Sequence, residues 1–143
     1  RLWTTFDYAL SSNEGVLSGR AERWRELGRF LIDHPWHWRL GVGYKTLPYS
    51  DFTGHSIVAD NMYLSMMVET GVFGLAALVA LNIAIIRAGY RAARSQDPQK
   101  SFYGAWIFCF WIAESVQMLS ADLLTFWRVL PVYFWVLAMA VRR

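Results

Sequence analysis

The chain has 143 residues, 55% of them hydrophobic and 17% aromatic, with eight tryptophans and a net charge of +3. That is too apolar for an ordinary soluble domain, and a soluble helical enzyme this short would have to bury three long apolar runs. The cations sit in loops and at the ends of those runs, which fits membrane topology and argues against a nucleic-acid partner. The single cysteine, Cys109, excludes an intrachain disulfide. The chain begins at Arg1 rather than Met, and we read it as a portion of a longer protein.

Residues 1–19 are weakly patterned and read as a loop with short helix at most. Ser18 can cap a helix over residues 20–34, RAERWRELGRFLIDH. At 100° per residue, Arg20, Trp24, Leu27 and Leu31 share one stripe, while Glu22, Arg25, Glu26 and Arg29 point elsewhere and can pair. Arg20 continues the apolar stripe and is expected to point inward. His34-Pro35 ends the helix, because the residue before proline disfavours the α region. A structured loop follows. Gly41 and Gly43 permit unusual backbone angles, and Trp36, Trp38 and Tyr44 suit an interface.

Asp60-Asn61 reads as a helix cap. Thr70–Ile86 carries no charge, and with its lead-in from Asn61 it exceeds the roughly 20 residues a membrane span needs. Gly71 and Gly74 offer a small-residue packing surface. The fold expected is all-α. It is a polytopic membrane helical bundle with spans at about 62–87, 101–120 and 124–141, preceded by a loop-rich extracytoplasmic segment over 1–60. Basic residues at 87–100 and 142–143 place those regions on the cytoplasmic side, and residues 1–60 then face outward. Glu114 and Arg128 come to similar depth when the last two spans fold together, so an interhelical ion pair is expected. Glu69 reads either as a structural charge at the interface or as a partner for an arginine.

No paired-cysteine zinc pattern and no phosphate-binding glycine loop occurs. Pro35 separates His34 from His37, which breaks the helical spacing that would make them metal ligands. His55, Ser56 and Asp60 carry triad residue types, but neighbours in sequence rarely have triad geometry. From the residues alone, Arg20 is the best candidate to bind an anionic leaving group, with Arg39 and Lys45 next. A guanidinium offers a fixed fork of donors to phosphate oxygens. Asp60 and His55 are the candidates to accept a proton from an attacking hydroxyl.

The segments SGRAERW, DHPWHWRLGVGY and ADNMYLSMMVETGVFGL, in that order, resemble the C-terminal conserved region of the O-antigen ligase and O-antigen polymerase superfamily. The resemblance covers roughly Ser18–Leu75. It implies a metal-independent membrane glycosyltransferase, without cofactor, in the bacterial inner membrane. The donor would be an undecaprenyl-pyrophosphate-linked glycan and the acceptor a glycan or lipid A–core. Arg20 matches the arginine that engages the pyrophosphate. Asp60 matches the position where ligases usually carry a catalytic histidine, leaving Asp60 and His55 as alternatives for the base. Asn61 and Tyr63 match the rest of that box, and Arg128 is a further expected contact to the lipid-linked phosphate. Ligase and polymerase remain equal alternatives. The competing reading is a non-enzymatic membrane component of polysaccharide export, such as a transporter or assembly subunit.

Overall fold

A computed structural model describes residues 20–49, 56–122 and 130–142. Among the described residues five helices follow in chain order: α1 (Arg20–Asp33), α2 (His37–Leu40), α3 (Met62–Ala93), α4 (Pro98–Gln117) and α5 (Leu130–Val141). No strand occurs among the described residues, so the all-α expectation holds.

The stripe on α1 does what its spacing predicts. Leu27 and Leu31 are buried and join Leu47, Ile57, Ala59 and Val68 in a small core. The Trp24 indole donates to the Ala59 carbonyl at 2.6 Å, so the ring packs while its polar edge is satisfied. Pro35 ends α1, and the Trp38 indole donates back to the Leu31 carbonyl at 2.7 Å, serving its last turn. The rings of Phe30, His34 and His37 stack, with centroids 4.7 Å apart for Phe30–His34 and 5.5 Å for Phe30–His37.

The central element is α3. It is continuous in outline but broken at Gly71, whose φ of 71° and ψ of −168° leave the helical region. A break inside a helix orphans carbonyl groups in the turn before it. Here the loop after α2 supplies the donors. Val42 N donates to the Val68 carbonyl at 3.0 Å and Gly43 N to the Glu69 carbonyl at 2.8 Å. The approach is backbone on backbone. A Cβ on Gly71 would collide with the Arg39 carbonyl, and one on Gly41 (φ 69°) with the backbone of Glu69 and Thr70. Glycine at both positions therefore answers two demands, a left-handed φ and the absence of a side chain.

Past the kink, residues 72–93 form roughly 33 Å of helix at about 1.5 Å per residue, enough for ~30 Å of hydrocarbon. Of the described helices, α3 is long and apolar enough to cross a membrane, and 22% of its most apolar window is buried inside the protein. A soluble core helix would be mostly covered. The sequence predicts three such spans; the described residues give one, since α5 is apolar but short and α4 carries polar residues in its first and last turns. Helical structure in α3 also runs past the expected end near residue 87, because the RAGYRAA stretch favours helix. Helix α4 spans Pro98–Gln117 rather than 101–120, starting at a capped proline: the Asp97 carboxylate accepts from Gln99 N at 3.0 Å.

Helices α3, α4 and α5 pack around Ile85, Ala92, Ile107, Trp111, Val136 and Ala140. Gly104 lets α4 lie directly on the backbone of Ala92 and Ala93, and Ser101 Oγ donates to the Ala93 carbonyl at 2.7 Å. Within this bundle Asn82 is buried and fully engaged. Its Oδ1 accepts from the Trp111 indole at 3.1 Å, and its Nδ2 donates to the Tyr63 hydroxyl at 3.2 Å. Glu114 accepts from the Tyr133 hydroxyl across α4 and α5. Its expected partner Arg128 lies outside the described residues.

Candidate functional site

The first half of α3, α1 and the turn after α4 meet at the end of the bundle away from the turn at 94–97. They enclose a cavity of about 360 Å³, with Arg20, Lys45, Asp60, Glu69 and Asp122 among its lining.

Its construction begins at the start of α3. The sequence offers two neighbouring caps, and the structure divides their roles. The Asn61 side chain is the N-cap, accepting from Leu64 N at 3.0 Å. Asp60, at a left-handed φ of 47°, is released from capping and turns its carboxylate toward α1. There it meets Arg20 Nε at 3.6 Å and Arg23 Nη1 at 3.3 Å. Arg23 Nη1 also donates to the Val58 carbonyl at 2.9 Å, which fixes the guanidinium against the strap leading into α3. The side chains of Arg20 and Asp60 remain about one-third exposed (34% and 32%), so a solute can reach them.

On the other wall, Lys45 Nζ lies 3.6 Å from Asp122 Oδ2. This pair joins the loop before α3 to the turn after α4. Lys45 itself is held at a φ of 62°. Its backbone N–H donates to Glu69 Oε2 at 3.0 Å, and Leu47 N donates to Oε1 at 3.4 Å. Glu69 sits before the kink, outside the 72–93 segment. Burial raises its carboxyl above the usual carboxylate range. The two backbone N–H groups and the Lys45 charge offset part of that rise, and Asp122 adds to it. Glu69 therefore braces the loop.

Each of these cations is paired with a carboxylate. Arg20 and Arg23 face Asp60, and Lys45 faces Asp122. An anion entering the cavity must take the place of a carboxylate on one of these cations. The cavity is thus suited to charge exchange rather than to adding a net charge, since an uncompensated buried charge is costly.

The remaining expected residues divide. Tyr63 points into the bundle, its hydroxyl donating to the Ser115 carbonyl at 2.8 Å. Arg39 is exposed and stacks over Trp36, 5.7 Å from the ring centroid, away from the cavity lining. His55 and Arg128 lie outside the described residues. Arg23 and Asp122 are additions the sequence reading did not make. Arg23 had a signal, because residues three apart on a helix lie on one face. Asp122 had none, since its partner is distant in sequence. Among the described residues no group of three or more His, Cys, Asp or Glu side chains is placed to hold a metal ion.

Comparison with known proteins adds no relative: no family model matches the chain, and neither curated proteins nor solved structures give a match to it.

Proposed function

We propose that the chain is part of a membrane glycosyltransferase that uses a polyisoprenyl-pyrophosphate-linked glycan as donor, of the O-antigen ligase or polymerase type. In this reading residues 72–93 of α3, together with α4 and α5, cross the membrane, with the charged cavity at the outer, periplasmic surface and the 94–97 turn on the cytoplasmic side. The observation that carries it is the meeting of Arg20 and Asp60 at one reachable cavity, with Arg23 holding the same carboxylate from outside the lining, although the arginines lie more than thirty residues before the aspartate.

The chemistry follows from that geometry. The donor pyrophosphate takes the place of Asp60 on the two guanidinium groups, whose donors match phosphate oxygens. Asp60, so released, accepts the proton of the acceptor hydroxyl. The hydroxyl oxygen bonds to the anomeric carbon as the carbon–oxygen bond to pyrophosphate breaks. Arg20 and Arg23 stabilise the charge that gathers on the leaving group. His55 remains the alternative proton acceptor.

The non-enzymatic reading draws on one observation as well: Arg20, Arg23 and Lys45 each have a carboxylate partner, which is what loop packing alone would produce. Glycan analysis of cells producing the intact protein separates the two. Arg20→Ala is expected to lower transfer about 10²–10³-fold while the membrane level of the protein stays normal. Normal transfer by that variant would sink the arginine assignment. In cells lacking the gene, uncapped lipid A–core with polymer still made identifies a ligase, and single repeat units identify a polymerase.

A further inference from the structure

The opposite end of the bundle carries a second cavity, of about 430 Å³, between the start of α4 and the end of α5. Lys100 and Arg142 contribute its cations, Ser95, Gln99 and Tyr103 its neutral polar groups, and Asp97 its one carboxylate. The Asp97 carboxylate is already engaged as the cap of α4, accepting from Gln99 N at 3.0 Å. The lining therefore has a formal charge of +1, whereas carboxylates outnumber cations in the lining of the cavity at the other end.

The apolar side of this cavity has a direction. Trp135 and Met139, four residues apart, share one face of α5, and Arg142 follows just past its end. Met139 lines the cavity with Arg142. Trp135 is 57% exposed and packs edge-on against Tyr103, another lining residue, with centroids 6.1 Å apart. A polar, singly positive cup at the helix ends thus continues into an exposed aromatic track along the helix. That is the layout of a molecule with an anionic head and an apolar tail.

We propose that this cavity binds the phosphate headgroup of an anionic phospholipid carrying one negative charge, with an acyl chain lying along Trp135. The phosphate sits between Lys100 and Arg142, and the Ser95 and Tyr103 hydroxyls donate to it. Charge selects the lipid. A monoanionic headgroup neutralises the cup, whereas a zwitterionic one brings a further cation to a site that is already positive. A basic cleft between helices on the cytoplasmic side is where an anionic leaflet would present such headgroups. The inference rests on the reading of the bundle as membrane-spanning, but not on glycosyl transfer.

The test uses the intact protein, first in flotation with phosphatidylcholine vesicles, then by native mass spectrometry from mixed micelles of phosphatidylglycerol and phosphatidylcholine. The expected result is one phosphatidylglycerol retained in preference to phosphatidylcholine. Lys100→Gln with Arg142→Gln should reduce that preference by roughly 25-fold, about fivefold for each cation. Arg87→Gln, which removes an exposed cation outside the cavity, should leave it unchanged. Failure to float would overturn both the membrane reading and the lipid site. Flotation without a preference, or a preference that survives the double substitution, overturns the lipid site alone. Full displacement of the lipid by millimolar inorganic phosphate would also overturn it, assigning the cup to a soluble anion.

Discussion

In its first half α3 is broken at Gly71 and takes two hydrogen bonds from a loop, whereas from Val72 to Ala93 it runs unbroken and meets α4 through Gly89 and Gly104. The unbroken half satisfies its own backbone, so its neighbours can be apolar side chains and small residues. The broken half cannot, and the amides of Val42 and Gly43 complete it, with the Glu69 carboxylate holding the amides of Lys45 and Leu47 in the same loop. Regular backbone suits a surface facing hydrocarbon, where unsatisfied polar groups are expensive. Irregular backbone is tolerated where protein or water covers it, and that is where the charged cavity lies. On the proposed reading the same helix provides a span and a site, and Gly71 is the boundary between them.

The largest expected effect tests that boundary. Gly71→Ala forces a side chain into a left-handed φ and onto the Arg39 carbonyl, and should cost more than about 3 kcal/mol. Gly104→Ala, at the regular end, should cost about 1–3 kcal/mol through overpacking against α3. Gly28→Ala, with nothing near its added Cβ, should be neutral or stabilising by up to about 1 kcal/mol. Thermal unfolding in detergent checks all three. A Gly71→Ala protein that melts with wild type would mean that the loop does not hold the kink.

A smaller effect lies within the regular half. Asn82→Leu removes the acceptor for the Trp111 indole and the donor to Tyr63, and should cost about 1–2 kcal/mol. Trp111→Phe should cost a similar amount, and the double variant clearly less than the sum, because the two share one bond. Strict additivity would show that the Asn82–Trp111 hydrogen bond contributes nothing.

The smallest effect is in pH. Because burial raises the Glu69 carboxyl in the folded protein, its contribution to stability is fully present below the ordinary carboxylate value. That contribution is lost as pH rises through the raised one. The melting-temperature advantage of wild type over Glu69→Gln should therefore shrink between pH 4 and pH 7. An advantage that grows over that interval would mean that the Lys45 and Leu47 amides outweigh desolvation.

The sequence made some of this legible and hid the rest for physical reasons. The α1 stripe could be read because helical period and burial act locally, and Leu27, Leu31, Trp24 and Arg20 all follow it. The cap at Asp60-Asn61 could be read as a pair, but not which residue would cap. That choice depends on the two arginines waiting on α1. Gly71 was readable as a small residue in a helix, and its break was not, because the break is stable only with residues 42 and 43 in place. Asn82 is uncharged, so it passes unnoticed in an apolar run until its partners on α4 are known. Lys45 and Asp122 have no local pattern that joins them.

The crossing at Gly41 and Gly71 also has a consequence in time. The loop that clamps the kink leaves the ribosome before the carbonyls it binds. At typical synthesis rates the delay is on the order of a few seconds. Until Val68 and Glu69 emerge, the Val42 and Gly43 amides have no native partners, and the wall formed by Asp122 comes later still. The cavity is therefore a late product of assembly, closed after its first arginine has already been made. Changes that slow the delivery of α3 should expose this segment to proteases for longer, even where the finished protein is equally stable.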